Sequence, residues 1–332
     1  MPVVALDAMG GDRAPAEIVA GALAAVEALD VEILLAGPPD VLAAYLPAGA
    51  PPRGVRLLAA SEVVGMDDEP ANAVRTKKDS SLVRCADAVR DGAAQAMVGA
   101  GNTGATMAAA LLRTGRIAGV QRPAIAVPVP VPGTQRASLL LDVGATVDPE
   151  PDWLVQWARL GREYAKIRLG IAEPTVGLLS NGEEPGKGDD LRKQAHTMLA
   201  EVKGFVGNVE GRDLLQATTD VVVTDGFTGN VALKTLEGAL LGLAGMVFSV
   251  VGEPSTPWAA TADPLKLRLL EAAAPLMPDN TGGAVLLGIN GICVISHGSS
   301  SAAAVVNAIR VARDSVVAGT VERLAEAVAR AG

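Results

Sequence analysis

The chain has 332 residues, 49% of them hydrophobic but only 2% aromatic, so its core is built from Ala, Val, Leu and Ile, and the aromatic platforms on which single-stranded nucleic acid stacks are missing. Its 28 Lys and Arg stand against 37 Asp and Glu, a formal charge of −9 that repels polyanions and excludes nucleic acid as the default partner. Two distant cysteines, Cys85 and Cys293, form neither a disulfide framework nor a metal-ligand spacing, and Met1–Asp7 has no basic segment or long apolar run of a signal peptide. A cytoplasmic location is therefore expected. At about 150 residues per domain the length suits two domains or one large α/β domain. No repeat or linker marks a boundary, so residues 1–332 are read as one domain.

In chain order, Val3–Leu6 reads as a strand, followed by the loop Asp7-Ala-Met-Gly10-Gly11-Asp12 and a helix over Ala14–Leu29. Strands are expected at Val31–Leu35 and Val55–Ala59. Arg75-Thr-Lys77-Lys78-Asp-Ser-Ser81 then concentrates cations before a helix over Ser81–Asp91. Phosphate recognition is one reading of that run; a solvated charge run ending in a capping serine is the other. A strand at Gln95–Val98 leads into Gly101-Asn102-Thr103-Gly104, which opens a helix over Thr103–Arg113. Unhindered glycine amides and the positive helix end suit an oxyanion there. The run is neither a P-loop nor a dinucleotide fingerprint, so no nucleotide cofactor is expected.

Strands at Ala124–Val129 and Ser138–Val143 precede a helix over Trp153–Arg168, whose Arg159, Arg162, Lys166 and Arg168 are a candidate docking face for an acidic protein. After a strand at Thr175–Leu179, Lys187 follows Glu183 and Glu184 in a Gly-flanked loop. Pairing would orient that cation; a surface turn is the competing reading. A helix over Leu191–Lys203 and a strand at Val221–Thr224 come next. The loop Asp225-Gly-Phe-Thr-Gly-Asn230 then enters a helix over Asn230–Val251. Its stretch 238–252 is free of charge but too short for a membrane span of about 20 residues. With an apolar-faced stretch over 264–277 and Trp258 between, residues 238–277 read as a protruding helical pair, a candidate lipid or subunit contact. Strands at Ala284–Leu287 and Ile292–Ile295 lead to Ser296-His297-Gly-Ser-Ser300 and a final helix over Ser300–Ala329.

Short apolar strands alternating with longer helices specify an α/β fold with a largely parallel, two-sided sheet. The Gly-, Asn- and Asp-rich loops then all leave carboxyl ends of strands, which puts one polar cleft on that edge. Ordinary turn residues are the bland alternative. No Gly-x-Ser-x-Gly elbow and no Cys–His pair with an orienting group supplies a nucleophile, and no His/Cys cluster supplies a metal site.

Together the loops resemble those of the PlsX family of phosphate acyltransferases. The resemblance rests on Leu6–Asp12, Ala73–Ser81, Gly101–Ala105, Leu140–Ala145, Gly182-Glu183-Glu184 with Lys187-Gly188, Gly207–Glu210, Val222–Asn230, Leu233-Lys-Thr235 with Glu237-Gly238, and His297-Gly-Ser299. Ser180-Asn181 departs from the family pattern just before the Lys187 loop. The resemblance implies a Rossmann-like α/β/α sandwich of the isocitrate dehydrogenase and phosphate acetyltransferase type, and a homodimer. It implies transfer of a long-chain acyl group from acyl carrier protein to inorganic phosphate for phospholipid synthesis, with peripheral contact at the inner face of the cell membrane. Transfer of short acyl groups from acyl-coenzyme A is the alternative, and a non-catalytic acyl-binding scaffold is the reading from another class. The site so implied comprises Lys187, Asn230, Asp225 and His297 for catalysis. Asp7, Gly10, Gly11, Lys77, Lys78, Gly101, Asn102, Thr103, Gly104, Glu183 and Glu184 would bind substrate, with no metal and no cofactor.

Overall fold

A computed structural model describes residues 1–251 and 282–330, with positions 267, 268, 271, 274 and 280 between them. Among the described residues eleven strands form one sheet: β1 (Val3–Asp7), β2 (Glu32–Gly37), β3 (Val55–Ala59), β4 (Ala96–Gly99), β5 (Ala124–Pro130), β6 (Ala137–Leu141), β7 (Val176–Leu179), β8 (Phe205–Val209), β9 (Val221–Val223), β10 (Ala284–Leu287) and β11 (Ile292–Ile295). The described helices are α1 (Ala16–Ala28), α2 (Pro39–Ala43), α3 (Pro70–Thr76), α4 (Ser81–Arg90), α5 (Thr103–Thr114), α6 (Pro151–Arg168), α7 (Asp190–Leu199), α8 (Gly226–Val251), α9 (Ala302–Val317) and α10 (Thr320–Ala329). The expected final helix is two, broken at Gly319, whose φ of 62° is left-handed.

The sheet order is β3-β2-β1-β4-β11-β10-β5-β6-β9-β7-β8. Pairing is parallel from β3 to β11 and again from β6 to β8, but antiparallel at β11–β10, β10–β5 and β5–β6. The two parallel blocks therefore run in opposite senses. This corrects the expectation of a single carboxyl edge carrying every loop. The loops after β1, β4 and β11 leave one end of the sheet, and those after β6, β9 and β7 leave the other. Four strand steps separate β4 from β6, and residues from both sets of loops line one cleft over the middle strands.

Alternation along each strand splits the core in two, as a sheet covered on both faces requires. Val4 and Leu6 face one layer with α1, α6, α7, α9 and α10; Ala5 faces the other with α3, α4 and α5. Small residues let the helices approach closely; two large aromatic rings of α6, Trp157 and Tyr164, are fully buried, with the Trp157 indole N–H donated to the Arg122 carbonyl at 3.0 Å. α8 is different. Only Gly226, Gly229 and Val251 of its 26 residues are buried, and Leu241, Leu243, Met246 and Val250 are exposed along its outer part. The partner stretch expected over 264–277 falls almost wholly outside the described residues.

Candidate active site

A cavity of about 300 Å³ lies in the cleft. Its apolar floor is Ile125, Val127, Val143, Leu233 and Ile295, and its polar wall includes Asp12, Thr103, Asn230, Ser296, His297 and Ser300.

One wall comes from the loops after β1, β4 and β11, which are clasped together. The Asp12 N–H donates to the Gly298 carbonyl at 2.8 Å and the Ser296 N–H to the Gly99 carbonyl at 2.8 Å. A Cβ on Gly101 would lie 3.1 Å from Gly10 Cα, and Gly11 adopts a φ of +110° with the Ala100 and Gly298 carbonyls 2.9 and 3.0 Å from any added Cβ. Glycine is needed here for loop-on-loop contact. Asp7 is buried beneath the loop; burial raises its pKa against the opposing bonds from the Ser81 hydroxyl and the Met9 and Gly10 amides. Asp7, Gly10 and Gly11 thus shape the wall, and of this loop it is Asp12 that lines the cavity.

Gly101 and Thr103 line the cavity at the start of α5. Asn102 is the N-cap: its Oδ1 accepts the Ala105 N–H at 3.0 Å and its Nδ2 donates to the Met66 and Asp68 carbonyls, both at 3.1 Å. The amides of Thr103 and Gly104, at the first two helical positions, have no acceptor within α5, and Thr103 lines the cavity. Gly104 also has a packing reason, since a Cβ there would meet Pro70 Cγ at 2.7 Å. Lys77 does not reach this site. Its ammonium is committed to the Val63 carbonyl and the Asp68 carboxylate, which fixes the loop before α3, while Lys78 is exposed and lines no part of the cavity.

The opposite wall is the start of α8. Asp142, fully buried after β6, accepts the N–H groups of Ile125, Gly144, Ala145 and Thr146 at 2.7–3.3 Å, yet burial still pushes its pKa up to about 6. Gly229 packs on that turn so tightly that a Cβ would fall 1.9 Å from the Asp142 carbonyl oxygen. Asn230 follows, donating from Nδ2 to the Val143 carbonyl at 3.1 Å at the cavity wall. Asp225 stands behind it. Burial raises its pKa, but the Thr228 amide and hydroxyl and the Arg192 guanidinium outweigh burial and hold it below its ordinary value. Arg192, itself buried, binds Asp225, Thr224, Thr228, Asp189 and the Leu179 carbonyl, tying the ends of β7 and β9 to α8.

His297 is exposed on the cavity wall, where the Ser299 N–H donates to its Nδ1 at 3.3 Å and the Ser299 hydroxyl lies 2.8 Å from it. Nδ1 is thereby the acceptor, and the proton of the neutral ring sits on Nε2. Both thiols are buried: Cys293 is pushed up to about 12 and Cys85 well above its ordinary value, so neither is a thiolate nucleophile.

The loop 180–189 departs from expectation. Glu183 pairs with Arg212, the Glu184 carbonyl accepts from Asn208 and from the Lys187 N–H, and Lys187 itself is exposed and lines no part of the cavity. These three residues do not join the others because β7 lies two strands beyond β6. The cationic face of α6 is likewise removed from the cavity. Arg162 binds the Pro174 carbonyl at the amino end of β7 and pairs with Glu173, Lys166 pairs with Glu163, and α6 covers the sheet face away from the cavity floor. Sequence reasoning missed Arg192 and Lys234. Lys234 lies one turn beyond Asn230 on the helix expected there and lines the cavity, a position that spacing alone does not reveal because it does not say which helix face meets the cleft.

The family model described as fatty acid synthesis protein matches residues 3–323. A phosphate acyltransferase of Desulfitobacterium hafniense is 47% identical over 337 residues, covering 98% of each chain. One from Heliobacterium modesticaldum is 48% identical over 322 residues, covering 94% of this chain and 93% of its own. The fold is shared with a phosphotransacetylase from Streptococcus pyogenes at a TM-score of 0.62 and 15% identity, over 95% of this chain and 94% of the other. The Rossmann-like α/β/α sandwich implied by the resemblance is the fold observed, shared with that phosphotransacetylase. The chain belongs to the fatty acid synthesis protein family, the PlsX family, and is an acyltransferase.

Proposed function

We propose that the protein transfers a long-chain acyl group from acyl carrier protein to inorganic phosphate, forming an acyl phosphate for phospholipid synthesis. The observation that carries this reading is a cavity with an apolar floor and a wall of hydrogen-bond donors, while both thiols are buried and protonated. Phosphate is itself the nucleophile, so such a reaction needs anion-holding donors and an oxyanion stabiliser in place of a nucleophilic side chain.

An oxygen of hydrogen phosphate attacks the thioester carbonyl carbon, the carbonyl oxygen gains negative charge, and as the carbonyl re-forms the C–S bond breaks, the sulfur taking up the phosphate's proton to leave as the carrier's thiol. The Gly101–Gly104 turn offers the amides of Thr103 and Gly104 to phosphate. Asn230 uses one amide hydrogen on Val143 and keeps the other for the oxyanion. His297 presents its Nε2 proton, and Asp225 acts through Arg192 and Thr228 to orient the α8 start. The whole chain works as one catalytic unit in the cytoplasm, as a homodimer, with the exposed apolar length of α8 contacting the membrane that receives a poorly soluble product. By length and composition α8 is apolar enough to cross a membrane, but Gly226 and Gly229 root it in the sheet, which suits lying in the interface.

The test compares donors. With inorganic phosphate and hydroxylamine as trap, long-chain acyl-acyl carrier protein is expected to give acyl hydroxamate at a kcat/KM at least tenfold above that for acetyl-coenzyme A. A preference for acetyl-coenzyme A would establish the short-chain reaction instead, and no product from either donor would leave an acyl-binding scaffold.

A further inference from the structure

Asn230, Leu233, Lys234 and Glu237 recur at the three- and four-residue spacing of one helix face, and all four line the cavity. Among the described lining residues, Lys234 is the sole lysine or arginine. Its ammonium lies 2.8 Å from a Glu237 carboxylate oxygen, and both side chains are partly open to solvent. Gly101 and Thr103 at the start of α5, and Asp12, line the same cavity. A phosphate entering there meets two carboxylates, Asp12 and Glu237, and that one cation. Repulsion by the carboxylates has to be offset by the ammonium, whose flexible four-carbon stem lets it leave Glu237 for a doubly charged anion.

We propose that Lys234 is the phosphate-holding cation of this site, kept at the cavity in the empty enzyme by its pair with Glu237 and transferred to phosphate on binding. This deepens the acyl-transfer reading and rests on it for the identity of the anion. The ammonium and the α5 amides then grip phosphate from two sides while Asn230, one turn earlier on α8, serves the thioester oxygen.

The two partners of the pair make the test sharp. Lys234→Ala is expected to raise the KM for phosphate about tenfold or more, the scale of one lost charge-assisted hydrogen bond, with little change in the KM for the acyl donor. Lys234→Arg restores most of the affinity. Glu237→Gln lowers the phosphate KM at least about twofold, because it removes both the competing partner and a repelling charge. Were the pair only a helix staple, the two variants would move the phosphate KM in the same direction or not at all, and that result overturns the proposal. Calorimetric titration of the same proteins with inorganic phosphate alone, with circular dichroism confirming their folding, reads binding without turnover. Lys234-dependent phosphate binding in an enzyme that makes no acyl phosphate upholds the site and refutes the reaction. Acyl phosphate formation that is indifferent to Lys234→Ala upholds the reaction and refutes the site.

Discussion

Asn230 and Lys187 have equal claims in the sequence, as polar residues in Gly-rich loops after strands, and the structure separates them. Both side chains are exposed, but Asn230 lines the cavity with one amide hydrogen to spare, whereas Lys187 lines no part of it. Asn230→Ala is therefore expected to lower kcat about 10²-fold, as loss of an oxyanion donor does, and Lys187→Ala less than tenfold, both read by steady-state kinetics. A larger loss at Lys187 would mean that the 180–189 loop folds over the substrate. Asp142 makes a prediction in pH. Burial raises its pKa to about 6, so between pH 4 and 6 the native state holds its proton more firmly than the unfolded chain. Stability from this group is fully present below about pH 4 and is lost as pH rises through 6. In urea titrations the advantage of the parent over Asp142→Asn should shrink by on the order of 2 kcal/mol across that window. A constant or growing advantage would show that the four N–H donors outweigh burial and that the carboxylate is ionised throughout.

Among the elements, periodicity located nearly all those that bury an apolar face. Val55–Ala59, Ala284–Leu287 and Ile292–Ile295 coincide with the observed strands, since their apolar runs are bounded by turn residues. It missed β8, an edge strand whose Gly207 and Asn208 dilute the apolar signal, and α2 and α3, which are one or two turns long. The start of α8 was hidden for a different reason. Gly226 and Gly229 read as turn formers, but they are glycines because a Cβ at either would press on the Asp142 turn. Further along α8, Leu243, Val247 and Val250 carry the membrane proposal. Replacing all three with Asp should abolish sedimentation with anionic liposomes while gel filtration still shows a dimer. Variants that instead run as monomers would make this length of α8 the subunit contact.

Across the whole molecule, fold class and the family of loops were legible, whereas the relative direction of the strands was not. Hydrophobic runs reveal that a strand is buried on both faces but carry no sign of which way it runs, so the reversal at β10, β5 and β6 emerges only from the pairing. With the reversal, α5, α8 and the His297 turn surround one cavity, and the Lys187 loop and the cationic face of α6 lie outside it. Direct acyl transfer to phosphate, without an acylated protein side chain, is decided by a single turnover with stoichiometric long-chain acyl-acyl carrier protein. Free carrier thiol and trapped acyl hydroxamate are quantified with and without inorganic phosphate. Thiol release is expected only with phosphate and in equal amount to hydroxamate; a burst of thiol and an acylated protein in its absence would show that a side chain carries the acyl group.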